Sequence, residues 1–188
     1  MPSGKTHDRI TLWLLPWFVG LTLLLTRSSR ITLIFASCFV FSGLMFGPDL
    51  DIHSVQFKRW GKLSFIWLPY QKALRHRSKL SHGFLVGTVI RLIYLFSWII
   101  VTSIFLVEIG QIIWGFDWNW QQFFTQFTQS IFENRRKEAI ALFWGLELGA
   151  MSHYLADWTN SLYKKYQKEG LKGVINRKSK SKPRGRRR

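Results

Sequence analysis

Cysteine is almost missing from this chain: Cys38 is the only one in 188 residues. One thiol cannot close an intramolecular disulfide, and it excludes a thiolate-rich zinc site of the finger type. Any metal must therefore be held by histidine and carboxylate. Cys38 lies inside an apolar run and reads as a buried packing residue. Acid is scarce too, with 10 Asp and Glu against 27 Lys and Arg, for a formal charge of +17. No internal repeat is present. The first apolar run ends LLLTRSSR without a small-x-small cleavage site, so a cleaved signal peptide is not expected.

What is plentiful is apolar. Hydrophobic residues make up 47% and aromatics 16% of the chain. They are segregated from the basic residues, so a mean hydropathy near zero averages two unlike kinds of segment. Four apolar runs stand out, at 10–26, 31–46, 84–107 and 139–158. The third carries one charge, Arg91, and is the strongest transmembrane candidate. The first spans roughly 26 Å as a helix, the minimum for a crossing, and Pro16 should kink it. RSSR (27–30) is short enough to make runs one and two a helical hairpin. Gly47-Pro48 then stops run two. The fourth run holds Glu147, His153 and Asp157, a weak span unless its neighbours shield it.

The expected fold is all-α: an integral membrane bundle of about four helices, occupying residues 1–163. A basic tail, 164–188, is expected to be disordered. Residues 54–75 mix Lys and Arg with Trp60, Phe65, Trp67 and Tyr70, which suits a loop at the lipid headgroup level. Pro69 should open a short helix through Tyr70–His76. Trp120, Phe123, Phe124, Phe127 and Ile131 recur at the spacing of an amphipathic, interfacial helix.

If all four runs cross, one side collects 21 Lys and Arg and the other only five. Basic loops stay in the cytoplasm, so both termini and the central loop should face inward in a multi-pass protein of the cytoplasmic (inner) membrane. A feature that did not enter this count agrees with it. His7 precedes run one; Asp49, Asp51 and His53 follow run two; His76 and His82 precede run three; His153 and Asp157 end run four. Every histidine falls on the same, cytoplasmic, face.

Residue types there suit a metal. His153 and Asp157 are i, i+4 on one helix and project together. Asp49 and Asp51 alternate in PDLD, a turn that can aim both oxygens one way. His76 and His82 converge only if a turn intervenes before run three, with Ser78 or Ser81 as a cap. His7-Asp8 is a further candidate pair. Mixed imidazole and carboxylate suits one or two divalent ions, zinc first, with manganese and iron as alternatives. Arg91 and Glu147, charges inside apolar runs, should approach each other or each bond a neighbouring helix.

The motifs GKTHD (4–8), GPDLD (47–51), HRSKLSH (76–82) and SHYLAD (152–157) resemble a bacterial family of metal-binding membrane proteins of unknown function. That resemblance covers residues 1–165. In motif order the chain is also distantly similar to the inner-membrane metal-dependent hydrolases. Carried over, the resemblance implies metal contacts at His7, Asp49, Asp51, His76, His82, His153 and Asp157. Ser81-His82-Gly83 departs from the hydrolases' usual Thr-His-Ser. His53 fits neither pattern and, with Asp8, is expected behind the ligands.

The function expected is a metal-dependent hydrolase acting on a phosphoester or lipid headgroup, with Asp51, or else Asp49, as proton acceptor and Arg77 and Lys79 holding an anion. A non-catalytic metal-handling protein, or a structural protein docking a partner, are the alternatives. The tail should touch anionic lipid rather than nucleic acid.

Overall fold

A computed structural model describes residues 4–76 and 78–175, without the side chains of Lys5, Lys79, Glu169 and 171–175. Among the described residues every regular element is helical and none is a strand. Four long helices dominate: α1 (Gly4–Thr26), α2 (Ser29–Leu44), α6 (Val86–Trp114) and α8 (Arg136–Ile175). Three short helices, α3 (Val55–Lys58), α4 (Leu68–Ala73) and α5 (Lys79–His82), lie between α2 and α6. Helix α7 (Trp120–Gln129) follows α6.

The hairpin turn is tighter than RSSR suggested. Arg27 takes a positive φ of 49°, and Ser28 is already the cap of α2, its hydroxyl accepting from the Ile31 N–H at 3.4 Å. Capping satisfies one of the orphan donors at the helix start. At the far end Pro48 opens a single 3-10 turn, Pro48–Asp51, that holds both aspartates.

Helices α2 and α8 meet backbone to backbone. A Cβ on Gly149 would lie 2.3 Å from the Phe39 carbonyl oxygen, and one on Gly145 2.6 Å from that of Phe35. Small residues four apart permit such an approach, which larger side chains block. Ser42 Oγ donates to the Leu146 carbonyl across the same contact at 2.5 Å. Helix α1 joins α8 through Thr11 Oγ1 and Ser152 Oγ, 2.7 Å apart and buried.

The segment from Gly61 to Ala73 differs from the headgroup-level loop expected. Trp67 and Tyr70 are fully enclosed, in a cluster with Phe46, Leu50, Phe57, Ile66 and Leu146. Leu63, Phe65 and Leu68 are its exposed large apolar side chains. Helical and 3-10 turns fold the chain back on α2 and α6, so the aromatics bury against protein. Their rings pack edge-on: Trp67 meets Phe46 at 5.8 Å and Tyr70 at 5.5 Å between centroids. Helix α4, with Pro69 in its first turn, stops at Ala73, before His76.

Among the described residues, three segments are long and apolar enough to cross a membrane: Thr6–Thr26, Ser29–Asp51 and Val86–Trp114. The fourth run lies in α8, which is not among them. Its polar groups are turned into the protein, with Glu147, Ser152 and His153 buried. Helix α6, by contrast, exposes Ile93, Phe105 and Ile112, the last 85% accessible. Helix α7 starts where Asn119 Oδ1 accepts from the Gln122 N–H, and none of its residues is buried. Helix α8 runs to Ile175 with a break at Gly170 (φ 65°), so the basic segment is helical for its first residues. The rest of the expected disordered tail, 176–188, lies outside the described residues.

The α2–α8 contact yields a paired expectation. Gly149→Ala should lower stability by about 1–3 kcal/mol through overpacking. Gly20→Ala, where a Cβ meets nothing within 4 Å, should be neutral or gain up to about 1 kcal/mol in helix propensity. Thermal unfolding in detergent checks both; equal effects would remove close approach as the reason for Gly149.

Candidate metal centre

The site forms where the end of α2, the start of α1 and the middle of α8 meet. On α1, His7 is one turn from Thr11; on α8, His153 follows Ser152. The Thr11–Ser152 bond therefore sets the two imidazoles side by side, stacked at 3.8 Å between centroids and 13° between planes. Asp157, one turn beyond His153, brings Oδ1 within 3.7 Å of His7 Nε2. From the turn after α2, Asp49 Oδ2 reaches within 3.1 Å of His153 Nε2.

The other half comes from the segment before α6. The Ser78 hydroxyl accepts from the Ser81 N–H at 3.2 Å and starts the one-turn helix α5. That turn is what carries His82 back towards His76, their rings 5.1 Å apart. His76 Nδ1 lies 2.9 Å from Asp51 Oδ1, and His82 Nδ1 lies 3.5 Å from Asp51 Oδ2. His82 Nε2 is 3.6 Å from Asp49 Oδ1.

Two groups of potential ligands result: Asp49, Asp51, His76 and His82, and His7, His153 and Asp157. Within each, one N or O atom per residue lies within 4.8 Å of every other. Asp49 belongs to the first and touches the second. All seven residues expected as ligands are thus gathered at one place. Ligand atoms ~2.0–2.1 Å from a common ion at tetrahedral or octahedral angles sit roughly 3 Å apart, the scale of these separations.

The atoms themselves test the fit of an ion. His7 Nδ1, Asp49 Oδ1, Asp51 Oδ2, His82 Nε2 and both nitrogens of His153 are buried without a hydrogen-bond partner among the described residues. Buried polar atoms are rarely left so, because each loses its hydration for nothing. His153 Nε2 and Asp49 Oδ2 are close but badly aligned for a hydrogen bond, as two ligands of one ion would be. The donor set, imidazole nitrogen with carboxylate oxygen, fits a divalent ion of the zinc, manganese or iron type.

The remaining expected residues are placed less uniformly. Asp8 pairs end-on with Arg59, Nη1 to Oδ1 at 2.8 Å and Nη2 to Oδ2 at 2.5 Å. Arg59 also donates to the Leu44 carbonyl at 2.9 Å, tying α1 to the end of α2. The hydrogen bond to Asp8 raises the Arg59 pKa. Both residues line a cavity of about 180 Å³ that reaches His7, Asp49 and His153. His53 is exposed and packs on the Phe57 ring at 4.7 Å, with no hydrogen bond, ion pair or ring contact to the seven among the described residues. Arg77 and the Lys79 side chain lie outside the described residues.

Arg91 and Glu147 form no direct ion pair among the described residues; each bonds the segment that carries His82. Leu85 has φ 61° and ψ −50°, and Val86 N–H donates to the Phe84 carbonyl at 2.7 Å. This is a γ-turn of the strained, positive-φ kind. Glu147 Oε1 accepts from the Leu85 N–H at 3.0 Å. Arg91 donates to the Ser81 carbonyl at 3.0 Å and to Thr88 Oγ1 at 2.8 Å. The turn after His82 is therefore held from both sides by buried charge. Tyr70, in the cluster below, has its hydroxyl pushed up to about 12 by burial.

Arg59 and the Gly145–Gly149 pair were missed in the sequence. The glycine spacing was a readable signal; the Arg59–Asp8 pair was not, since 51 residues separate the partners.

The chain matches the family described as uncharacterized metal-binding protein (DUF2227) over residues 2–167. It belongs to that family. No curated protein and no solved structure matches it. Metal binding, the property in the family description, agrees with the two His/Asp groups of this DUF2227 member.

Glu147→Ala should destabilise the protein by about 2–4 kcal/mol, because it orphans the Leu85 N–H and leaves the Arg91 charge buried with less compensation. Glu147→Gln, which keeps an acceptor, should recover part of the loss. Unfolding midpoints of the two variants measure this; an alanine variant as stable as the parent would contradict the clamp.

Proposed function

We propose that this protein is a membrane-embedded, metal-dependent hydrolase of phosphoester or lipid-headgroup substrates, with His7, Asp49, Asp51, His76, His82, His153 and Asp157 as ligands of one or two ions. The observation that carries the reading is Asp49, whose two oxygens face His82 of one group and His153 of the other. Asp49 would therefore serve both groups of ligands. When bound, the ions would supply Lewis acidity and an activated water.

In hydrolysis, a water oxygen bonds to phosphorus, the P–O ester bond breaks, and the alcohol leaves with a proton. The proton lost by the water needs a carboxylate with access to solvent. Asp51 was expected in this role, but its side chain is fully enclosed and each oxygen faces an imidazole. Engaged with both rings, it suits holding His76 and His82 in the ligand group rather than taking a proton from water. Asp157, with a quarter of its side chain exposed, is the better acceptor. Arg59, at the cavity wall, is the described cation best placed for an anionic substrate.

Membrane embedding is supported by the three apolar segments and by the exposed apolar surface of α6, which water would solvate poorly. The basic excess at the ends that carry the site supports a cytoplasmic orientation.

Protein purified in detergent should hold one to two zinc, manganese or iron ions per chain by elemental analysis. His153→Ala or Asp49→Ala should lose most of that metal while keeping helical content. With metal restored, the parent should cleave a chromogenic phosphodiester and the Asp157→Asn variant should do so at least about tenfold more slowly. Bound metal without hydrolysis would favour the metal-handling alternative; no bound metal would remove both.

A further inference from the structure

Beside the metal centre lies a second opening of different character. It is a cleft of about 420 Å³ lined by His82, Phe84, Met151, Tyr154, Leu155 and Trp158. That volume is within the range of small-ligand sites. Its walls are apolar: Phe84 is 53% and Trp158 56% accessible, exposures that a soluble surface seldom clusters. Its polar members are His82, from the first ligand group, and Tyr154, whose ring packs edge-on against His82 at 5.7 Å. The Tyr154 hydroxyl is buried and has no hydrogen-bond partner among the described residues.

The cleft also has a direction. Phe84 stands two residues before α6, and beyond it Val86, Val89, Ile93 and Phe96 are exposed along that helix. The apolar wall of the cleft is thus continuous with the surface of the most apolar helix in the protein. The cavity at His7, by contrast, sets the charged and amide groups of Asp8, Arg59 and Gln56 among Ile52 and Val55. A row of candidate ligands beside an apolar cleft that leads to an apolar helix suits a molecule with a polar end and a hydrocarbon chain. We propose that the cleft at His82 and Tyr154 is a subsite for the hydrocarbon chain of an amphiphilic phosphoester, a lipid that enters from the bilayer alongside α6.

This inference rests on the metal-hydrolase reading and narrows its substrate to a lipid. A free, water-soluble phosphoester would place only its anionic end at the ligands and leave the cleft unused. A lipid would gain from each methylene buried along Phe84, Leu155 and Trp158.

The test uses full-length, zinc-loaded protein in nanodiscs and two non-hydrolysable probes, methylphosphonate and dodecylphosphonate. The parent should bind the dodecyl probe at least about tenfold more tightly than the methyl probe. Leu155→Trp and Met151→Trp, which fill the cleft, should each abolish most of that gain while leaving zinc content and methylphosphonate affinity unchanged. Two variants are needed because Leu155 is exposed whereas Met151 is half-buried and less tolerant. Since the probe partitions equally into discs of parent and variant, only a gain sensitive to the filled cleft counts in favour. A chain-length gain identical in parent and variants would overturn the subsite and leave the metal reading standing. Absence of zinc, or of zinc-dependent methylphosphonate binding, would overturn the metal reading and this one with it.

Discussion

The backbone contact between α2 and α8 governs how His153 and Asp157 approach Asp49. With no side chain at Gly149, α8 lies directly on the Phe39 carbonyl. One turn further along α8 is His153; just beyond the end of α2 is Asp49. Their approach to 3.1 Å follows from the height at which the two helices cross. A larger residue at Gly149 would lift α8 off α2 and carry His153 and Asp157 away with it. The cost would appear in the packing and at the metal centre together, since no loop stands between them to absorb the shift.

Around that crossing, the site is assembled with unequal rigidity. His7, His153 and Asp157 stand on two long helices locked by a buried hydroxyl pair. Their positions depend on helix geometry alone. His76 and His82 stand on a segment with one short helical turn and a strained γ-turn, and so need other means of support. Asp51 engages both imidazoles, and Glu147 and Arg91 hold the turn behind them from inside the bundle. Charges buried at an apolar helix end are expensive, and here they substitute for the regular structure that the segment lacks. The aromatic cluster of Trp67, Tyr70 and Phe46 includes Leu50, between the two aspartates, and Leu146 of α8.

The chemistry of the two openings differs although they share one row of ligands. The chamber at His7 sets Asp8, Gln56 and Arg59 among apolar side chains; the cleft at His82 is lined with aromatics and aliphatics. The division arises because α1 and the 47–59 segment contribute one wall and the start of α6 the other. The second is the foot of an apolar helix.

Much of this was written in the chain itself. The four long helices follow from apolar runs of helical length, and the hairpin follows from the short polar break at 27–30. The pairing of His153 with Asp157 needs only the 3.6-residue period. The clustering of histidines at one end of the runs was visible before any coordinates, because chain reversal at each turn returns the ends to the same face. Tertiary structure alone decided the rest. Trp67 and Tyr70 looked interfacial because sequence records that an aromatic lies beside a lysine, and not which neighbour covers it. Arg59 finds Asp8, and Glu147 finds the Leu85 N–H, across 51 and 62 residues. Such separations leave no local signal. Asp51 reads as a free carboxylate until the histidines that enclose it are brought in from another segment. Period and polarity determine which residues share a face; only packing determines which of their atoms meet.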